Sequence, residues 1–376
     1  MKIGIVTFHA SLNCGSMLQA YALQETLREK FHQNVEIIDF SSKGQRKMYS
    51  LIDTRLRPRV IKRNFRVLPY LKEFKDLKAD YKRFSDTYFV LTSKQYRRNQ
   101  ELFGLQDTYD ILIAGGDQVW NVLCRDTDLA YFLNFSNSAK KVSYSPSLGA
   151  VNINYAAKNL SLYKNLLEQF DYISVREPNG KDWLEKLLGR NVEMIVDPTM
   201  LFTPNEWTHK IKIEKIDEPF IFYYAFDYSN HKLNLALQRI SKDLGVKIFM
   251  IDRKEWNICH LNNYGIELYP HGGPMAFISM INSAKYVVTD SFHGTVFSAL
   301  FNKKFCNCRH NPNQDVNDDR SSSLLAELGL ERQYVVSDQL KKDDLTREID
   351  YSSVNDCIEK LREKGFLYIK SFLGED

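Results

Sequence analysis

The sequence lacks any long hydrophobic run. Across its 376 residues no stretch of about 18 consecutive apolar residues occurs, so we expect no membrane-spanning helix. The apolar run Ile3–Phe8 follows a single lysine and ends at His9, which is too short for a signal peptide and instead predicts a first β-strand. A hydrophobic content of 44% and a charged content of 26% are typical of a soluble globular protein, and the length indicates roughly two domains.

Cysteine is also scarce. The six cysteines are scattered, without the spacing of a small disulfide-stapled secreted domain, and in a cytosolic chain they would stay reduced. Cys306, Cys308 and His310 stand at alternate positions, but no second ligand pair completes a tetrahedral set. We therefore predict a cytoplasmic protein with no metal site.

Several functional signatures are absent. The sequence has no Walker A ending of Gly-Lys-Ser/Thr and no G-x-G-x-x-G dinucleotide pattern. Ser291 and His293 lie two residues apart, but no G-x-S-x-G elbow accompanies them, so they do not by themselves predict a nucleophile and base. No recognisable nucleic-acid module is present, and we predict no nucleic-acid partner.

Positive charge is concentrated in one segment. Residues 43–98 contain 17 lysines and arginines against five acidic residues, a local excess of +12, although the whole chain carries only +4. Such a block attracts phosphates, an anionic membrane surface or anionic substrates. The alternative is a solvated helical pair, because apolar residues recur there at helical spacing with lysines between them: Phe65, Leu68, Leu71, Phe74, Leu77 and Tyr81.

Strand-like runs alternate with helical patterns along nearly the whole chain, which predicts a parallel α/β architecture. Proline punctuates the sequence at Asp197-Pro-Thr199 and Pro204, and we place a domain boundary there. The predicted units are an α/β domain over 1–198 that includes the basic insertion, a second α/β domain over 199–350, and a C-terminal helix over 351–376. Ten strands are predicted: Lys2–Phe8, Val35–Phe40, Tyr109–Ala114, Lys141–Ser145, Tyr172–Val175, Glu193–Val196, Phe220–Phe226, Val246–Ile251, Lys285–Thr289 and Lys304–Cys308.

The segment Val287–Phe301 offers the clearest candidate site. An apolar strand runs into a polar turn and then into an apolar helix, which places an imidazole at the carboxyl end of a strand beside free helix N–H groups. Ligands of open α/β sheets bind at that edge, and a helix N-terminus favours anions. The candidate residues are Ser291, His293, Gly294 and Thr295, and the alternative is that His293 only caps or lines the turn.

Three further clusters follow other predicted strands. The first could present backbone N–H groups to an anion, the second could offer hydrogen bonds and an aromatic platform for a sugar, and the third holds cations suited to carboxylate or phosphate. The alternatives are a strand-to-helix turn capped by Asp117 and ordinary ion pairs for the arginines. The residues are Asn13, Gly15 and Ser16; Gly115, Gly116, Asp117, Gln118, Trp120 and Asn121; and Arg176, Arg320 and Ser321.

In this order the clusters resemble the polysaccharide pyruvyl transferase family over nearly the whole chain. The motifs that carry the resemblance are Asn13-Cys-Gly-Ser, Ala114-Gly-Gly-Asp-Gln-Val-Trp-Asn121, Ser174-Val-Arg-Glu177, Asp197-Pro-Thr199, Thr289-Asp-Ser-Phe-His-Gly294 and Arg320 with Ser323-Leu-Leu325. The resemblance implies two Rossmann-like domains in the B-type glycosyltransferase arrangement, with the site in the cleft between them. It also implies a C-terminal helix that can cross back to the first domain.

The resemblance further implies phosphoenolpyruvate as the donor substrate, no other cofactor, and a hydroxyl pair of a saccharide as the acceptor, giving a pyruvyl ketal and phosphate. The acceptor would be a cell-surface polysaccharide or its lipid-linked precursor, reached at the inner face of an anionic membrane. His293 and Arg176 match the family's donor-site positions. Some members carry a second cation where this chain has Ser291, and Arg320 is the candidate to replace it. The alternatives are a glycosyltransferase that uses a nucleotide sugar and a non-catalytic glycan- or anion-binding protein.

Overall fold

The computed structural model describes residues 1–50, 68–309 and 318–375. The first sheet contains the strands Lys2–Val6 (β1), Asn34–Ile37 (β2), Ile111–Ala114 (β3) and Lys140–Ser143 (β4), all parallel, in the order β2-β1-β3-β4. A parallel bridge between Val142 and Tyr172 extends it towards the pair Ser174–Val175 (β5) and Glu193–Met194 (β6).

The second sheet is built from the later part of the chain. Its six strands are parallel and lie in the order β12-β11-β10-β7-β8-β9, which is the strand order of a dinucleotide-binding fold. The strands are Phe220–Tyr224 (β7), Lys247–Met250 (β8), Ile266–Leu268 (β9), Tyr286–Thr289 (β10), Lys304–Arg309 (β11) and Tyr334–Val336 (β12).

Helices connect the strands, as parallel pairing requires. Within the described ranges the α-helices are Cys14–Glu25 (α1), Lys43–Met48 (α2), Leu71–Tyr88 (α3), Asn99–Leu102 (α4), Ile153–Ala156 (α5), Leu160–Glu168 (α6), Pro178–Leu188 (α7), Pro204–Lys210 (α8), His231–Leu244 (α9), Arg253–Ile258 (α10), Gly273–Ser283 (α11), Phe292–Leu300 (α12), Arg320–Glu327 (α13), Lys342–Thr346 (α14) and Tyr351–Leu373 (α15). No helix among the described residues has the length and apolar character needed to cross a bilayer.

The predicted parallel α/β class is confirmed, and all ten predicted strands are present. Strands buried on both faces read as continuous apolar runs, as the fully buried β7 and β10 do. The two strands that we missed, β9 and β12, have three residues each and lie at the edges of the second sheet. Their partial exposure leaves no long apolar run to detect.

The basic insertion contributes one long helix, α3, which contacts both domains. Its Leu77 and Tyr81 are buried, the Tyr81 hydroxyl lies 3.2 Å from Cys14 Sγ, and Asp80 Oδ2 accepts a 2.9 Å hydrogen bond from Gly272 N. The predicted helical stripe is wrong at its start, because α3 begins at Leu71 and Leu68 is 46% exposed. Phe65 falls outside the described residues.

The C-terminal helix α15 crosses back to the first sheet. The Tyr368 hydroxyl donates to Ser143 O over 3.0 Å, and Lys140 Nζ donates to Phe372 O over 3.0 Å. Arg362 Nε also donates to Met200 O over 2.9 Å. The helix therefore follows the second sheet in the chain but packs on the first, and it holds the two halves together.

Candidate functional site

The two sheets bring their carboxyl edges to one cleft. In the first sheet, successive strands are added in one direction from β1 and in the opposite direction from β3 onwards. In the second sheet the same change of direction falls between β7 and β10. Ligands of open α/β sheets bind in the crevice at such switch points. The loops that follow these four strands carry several of the predicted residues, including Asp117 after β3 and His293 after β10.

Two helix N-termini meet in this cleft. Helix α1 is capped by Asn13, whose side chain accepts from Ser16 N over 3.2 Å, and α12 is capped by Ser291, whose hydroxyl accepts from Gly294 N over 3.4 Å. Both helices are buried along their whole length. The starts of α1 and α12 lie together, since Gly15 approaches His293, and a helix N-terminus favours a bound anion.

Gly15 and His293 form the closest contact between the two helices. A Cβ built on Gly15 would lie only 2.1 Å from His293 Nδ1 and 2.2 Å from its Cγ. The imidazole thus occupies the space that any other side chain at position 15 would fill. This close approach explains the glycine, and it places the Nδ1 side of the ring against the start of α1.

Asp197 lies on the other side of the imidazole. His293 Nε2 is 3.6 Å from Asp197 Oδ2, and the same carboxylate oxygen accepts a 2.6 Å hydrogen bond from Arg176 Nη1. Thr199 fixes the second oxygen, since its N and Oγ1 donate to Asp197 Oδ1 over 3.0 and 2.7 Å. One oriented carboxylate therefore links the arginine of the first domain to the histidine of the second.

Arg176 is held within a buried shell. Its side chain is 1% exposed, and its guanidinium carbon lies 4.4 Å from the centre of the Phe292 ring, which is cation–π distance. Nη2 is 3.6 Å from Asp117 Oδ1, and Nε is 3.8 Å from Glu177 Oε2. Both nitrogens are buried without a hydrogen-bond partner among the described residues, and each faces a carboxylate at ion-pair distance.

The surroundings of Arg176 shift the pKa values of two carboxyl groups in opposite directions. Burial alone would raise the pKa of Asp197, but the neighbouring His293 and Arg176 hold it well below its usual range. Burial raises the pKa of Glu177 to about 7, although Arg176 and Arg320 oppose the change. Charged and neutral carboxyl groups thus stand side by side near neutral pH, an arrangement typical of functional sites.

Arg320 stands at the first residue of α13. It forms two hydrogen bonds of 2.7 Å to the oxygens of Asp318, and the charges of Glu177 and Asp117, together with Asp318, help to hold its pKa high against burial. Arg320 therefore belongs to the same charged region as Arg176. Ser321 does not point to a ligand, because it is buried and its hydroxyl accepts from Arg309 Nη2 over 3.2 Å.

The predicted glycines serve packing. A Cβ on Gly115 would lie 3.0 Å from Thr7 Cβ, and one on Gly116 would lie 2.8 Å from Gln19 Oε1. A Cβ on Gly294 would lie 2.1 Å from Thr289 Oγ1. At Gly294 the neighbouring strand leaves no room for a side chain, whereas the contact at Gly115 is tight and the contact at Gly116 is with the end of a flexible glutamine side chain.

The polar residues after β3 form a turn. Asp117 has φ +70°, accepts from Gln118 N over 2.8 Å, and also accepts a hydrogen bond from the Ser16 hydroxyl. Asn121 Nδ2 donates to Gln118 Oε1 over 3.0 Å. No helix follows, so the alternative of Asp117 as a helix cap is wrong.

Trp120 requires a correction. We expected its ring to face a sugar, but it is 1% exposed and its ring centre lies 5.8 Å from that of Phe132 in a stacked pair. Its Nε1 donates to Tyr131 O over 3.0 Å. The apolar neighbours after the turn bury the indole in the first domain's core. Thr295 is likewise internal, since its hydroxyl donates to Ser291 O and accepts from Asn307 Nδ2.

Asp197 and Glu177 were not among the predicted site residues. From the sequence we interpret Asp197 as domain punctuation and as part of a motif that carries the family resemblance, because it precedes a proline and follows a two-residue strand that gives little pattern. Its position at a strand end was the signal that could have identified it. Glu177 directly follows Arg176, and its burial could not be seen in the sequence.

Among the described residues no group of three or more His, Cys, Asp or Glu side chains is placed to hold a metal ion. Cys306 and Cys308 are buried in the hydrophobic core of the second sheet, and His310 lies outside the described ranges. A cavity of about 370 Å³ adjoins the charged cluster. Arg176, Asp197 and Phe292 line it, together with Lys364 of α15.

Comparison with solved structures defines the class. The chain superposes on a putative UDP-N-acetylglucosamine 2-epimerase from Listeria monocytogenes with a TM-score of 0.56, 11% identity and coverage of 100% of this chain and 97% of that one. It also superposes on the structure of S. aureus MnaA with UDP, with a TM-score of 0.54, 12% identity and coverage of 100% of this chain and 97% of that one. For UDP-GlcNAc 2-epimerase from Neisseria meningitidis bound to UDP-GlcNAc the TM-score is 0.52 and the identity is 10%, with coverage of 98% of this chain and 93% of that one.

These similarities show a B-type glycosyltransferase fold, as expected from the sequence, with its cleft between two Rossmann-like domains. No curated protein matches the sequence significantly. The family model for polysaccharide pyruvyl transferase matches residues 13–312, and the chain belongs to this family. It is therefore a transferase by family, with a small-molecule donor and a saccharide acceptor.

Proposed function

We propose that the protein transfers the pyruvyl group of phosphoenolpyruvate to two hydroxyls of a saccharide. The observation that supports this most strongly is the Arg176–Asp197–His293 arrangement between two helix N-termini. The donor carries a carboxylate and a phosphate, and the Arg176 guanidinium, the N-terminus of α12 and Arg320 together suit such a doubly anionic ligand.

The reaction requires defined proton transfers. A proton is added to the methylene carbon of the donor, and the first hydroxyl oxygen bonds to the adjacent carbon while losing its own proton. Phosphate then leaves with the electrons of its carbon–oxygen bond, and the second hydroxyl oxygen bonds to that carbon while its proton passes to the departing phosphate. His293 transfers one of these protons as general acid or base. Asp197 Oδ2 lies 3.6 Å from its Nε2, within ion-pair distance.

The acceptor that we propose is a cell-surface polysaccharide or its lipid-linked precursor. The long basic segment supports attraction to an anionic membrane, and the exposed lysines Lys72 and Lys75 of α3 lie on the solvent side of a helix whose other face is buried. Such residues contribute about 1 kcal/mol each near an anionic surface.

The test combines phosphoenolpyruvate with lipid-linked and nucleotide sugars and follows phosphate release and the pyruvyl mass increment of the product. His293→Ala should lower turnover by about 10²–10⁴-fold. His209→Ala is the matched control, because the one hydrogen bond of this exposed histidine within the described part of the chain is to Asn205 O of its own helix. Less than a threefold loss for His293→Ala would contradict its role, and release of a nucleoside diphosphate would identify a nucleotide-sugar glycosyltransferase instead.

A further inference from the structure

The loop that follows β7 exposes a large aromatic side chain. Phe226 is 63% exposed, although it directly follows a strand and an alanine that are buried. The loop lies at the switch point of the second sheet, where β7 neighbours β10. A phenyl ring exposed at a ligand-binding edge offers a flat apolar surface to a ligand with an apolar face.

The loop is held rigidly. Phe226 N donates to Asp290 Oδ1 over 2.6 Å, and Asp227 N donates to Asp290 Oδ2 over 3.2 Å. Ala225 N donates to the Tyr228 hydroxyl over 2.9 Å. Because Asp290 is three residues before His293, the ring is fixed to the same turn that carries the imidazole.

Phe226 also lines a cavity of about 70 Å³ between the two domains. Leu12 and Asn13 of the first domain form one wall and run directly into Gly15, on which His293 Nδ1 rests. Asp252, at the end of β8, supplies a carboxylate to the opposite wall. The cavity therefore lies beside the start of α1, two residues before the glycine that His293 Nδ1 approaches, whereas Arg176 lies towards the Nε2 side of the ring through Asp197.

The charges on the two sides differ. Arg176 and Arg320 lie near the Nε2 side, which suits an anion, whereas the Phe226 loop carries Asp227 and Asp290 and faces Asp252. A pyranose ring is neutral, has a C–H face that packs on a phenyl ring and has hydroxyls that donate to carboxylates.

We propose that Phe226, Asp252 and Asn13 form the acceptor-sugar subsite, with Phe226 as its aromatic platform. The assignment rests on the proposed function only in naming the sugar as the acceptor. Phe226 thus takes the role that the sequence suggested for Trp120.

The test measures sugar binding without turnover. Saturation-transfer NMR is run on the full chain with a mixture of methyl glycosides of glucose, galactose, mannose and N-acetylglucosamine. We expect saturation transfer to at least one glycoside. Phe226→Ala should raise the dissociation constant roughly tenfold, which corresponds to about 1.4 kcal/mol, and Phe226→Trp should retain binding. Phe103→Ala is the control, since this phenylalanine is 46% exposed on the 3-10 helix after α4.

No transfer from the wild type to any glycoside, or equal binding by the wild type and Phe226→Ala, would overturn the subsite. The proposed reaction fails separately, because phosphate release from phosphoenolpyruvate is measured in a different assay. Sugar binding without phosphate release would support the proposed subsite and contradict phosphoenolpyruvate as the donor.

Discussion

Replacing Gly15 by alanine tests the site without removing any functional group. The added methyl carbon would lie 2.1 Å from His293 Nδ1 and 2.2 Å from Cγ. Since real Cβ contacts essentially never fall under 3.0 Å, the imidazole or the start of α1 must move by roughly 1 Å. A displacement of that size costs about 10²-fold in rate when a group must be aligned for catalysis.

Stability should suffer less than turnover. Overpacking of this kind costs about 1–3 kcal/mol, whereas domains are commonly stable by about 5–15 kcal/mol. We therefore expect Gly15→Ala to remain folded by circular dichroism, with a modestly lowered Tm. The kcat for phosphate release should fall about 10²-fold.

Gly104→Ala is the matched control, because a Cβ at that position meets nothing within 4 Å. The ring signals of His293 in ¹H–¹⁵N spectra provide a readout independent of activity and should shift only in Gly15→Ala. Turnover within threefold of wild type, together with unchanged His293 signals, would refute the contact. Shifted signals with unchanged turnover would show that the position of His293 does not matter for the reaction.

Three further predictions follow from the same contacts. Arg176→Lys should raise the KM for phosphoenolpyruvate more than that for the acceptor, because lysine keeps the charge but loses the planar fork; an effect on the acceptor alone would contradict the donor assignment. Glu177 has its pKa raised from 4.5 to about 7, so its folded form favours the proton, and urea unfolding should show stability falling by up to about 3 kcal/mol as pH rises through this window. Glu177→Gln should flatten that fall, and an unchanged pH profile would contradict it. The protein should sediment with anionic vesicles at low salt and not at about 0.5 M salt, less so after Lys72→Glu and Lys75→Glu; equal binding to neutral vesicles would favour a merely solvated helix.

The sequence determined the class of fold by itself. Buried parallel strands are continuous apolar runs, and alternation with helices leaves few other arrangements, so ten strands and the α/β class could be predicted. His293 and Arg176 could be proposed because each follows such a strand. The short edge strands β9 and β12 gave no comparable pattern.

Only the tertiary structure decided how those residues combine. Gly15 and His293 are distant in sequence, and their contact depends on how two helix N-termini meet across the domains. Trp120 and Phe226 show the same limit: both are aromatic residues after strands, yet one is 1% exposed and the other 63%. Local sequence specifies which residues reach the edge of a sheet. Burial and pairing across a cleft depend instead on packing between elements that are distant in the chain, and the periodicity of one element carries no information about another.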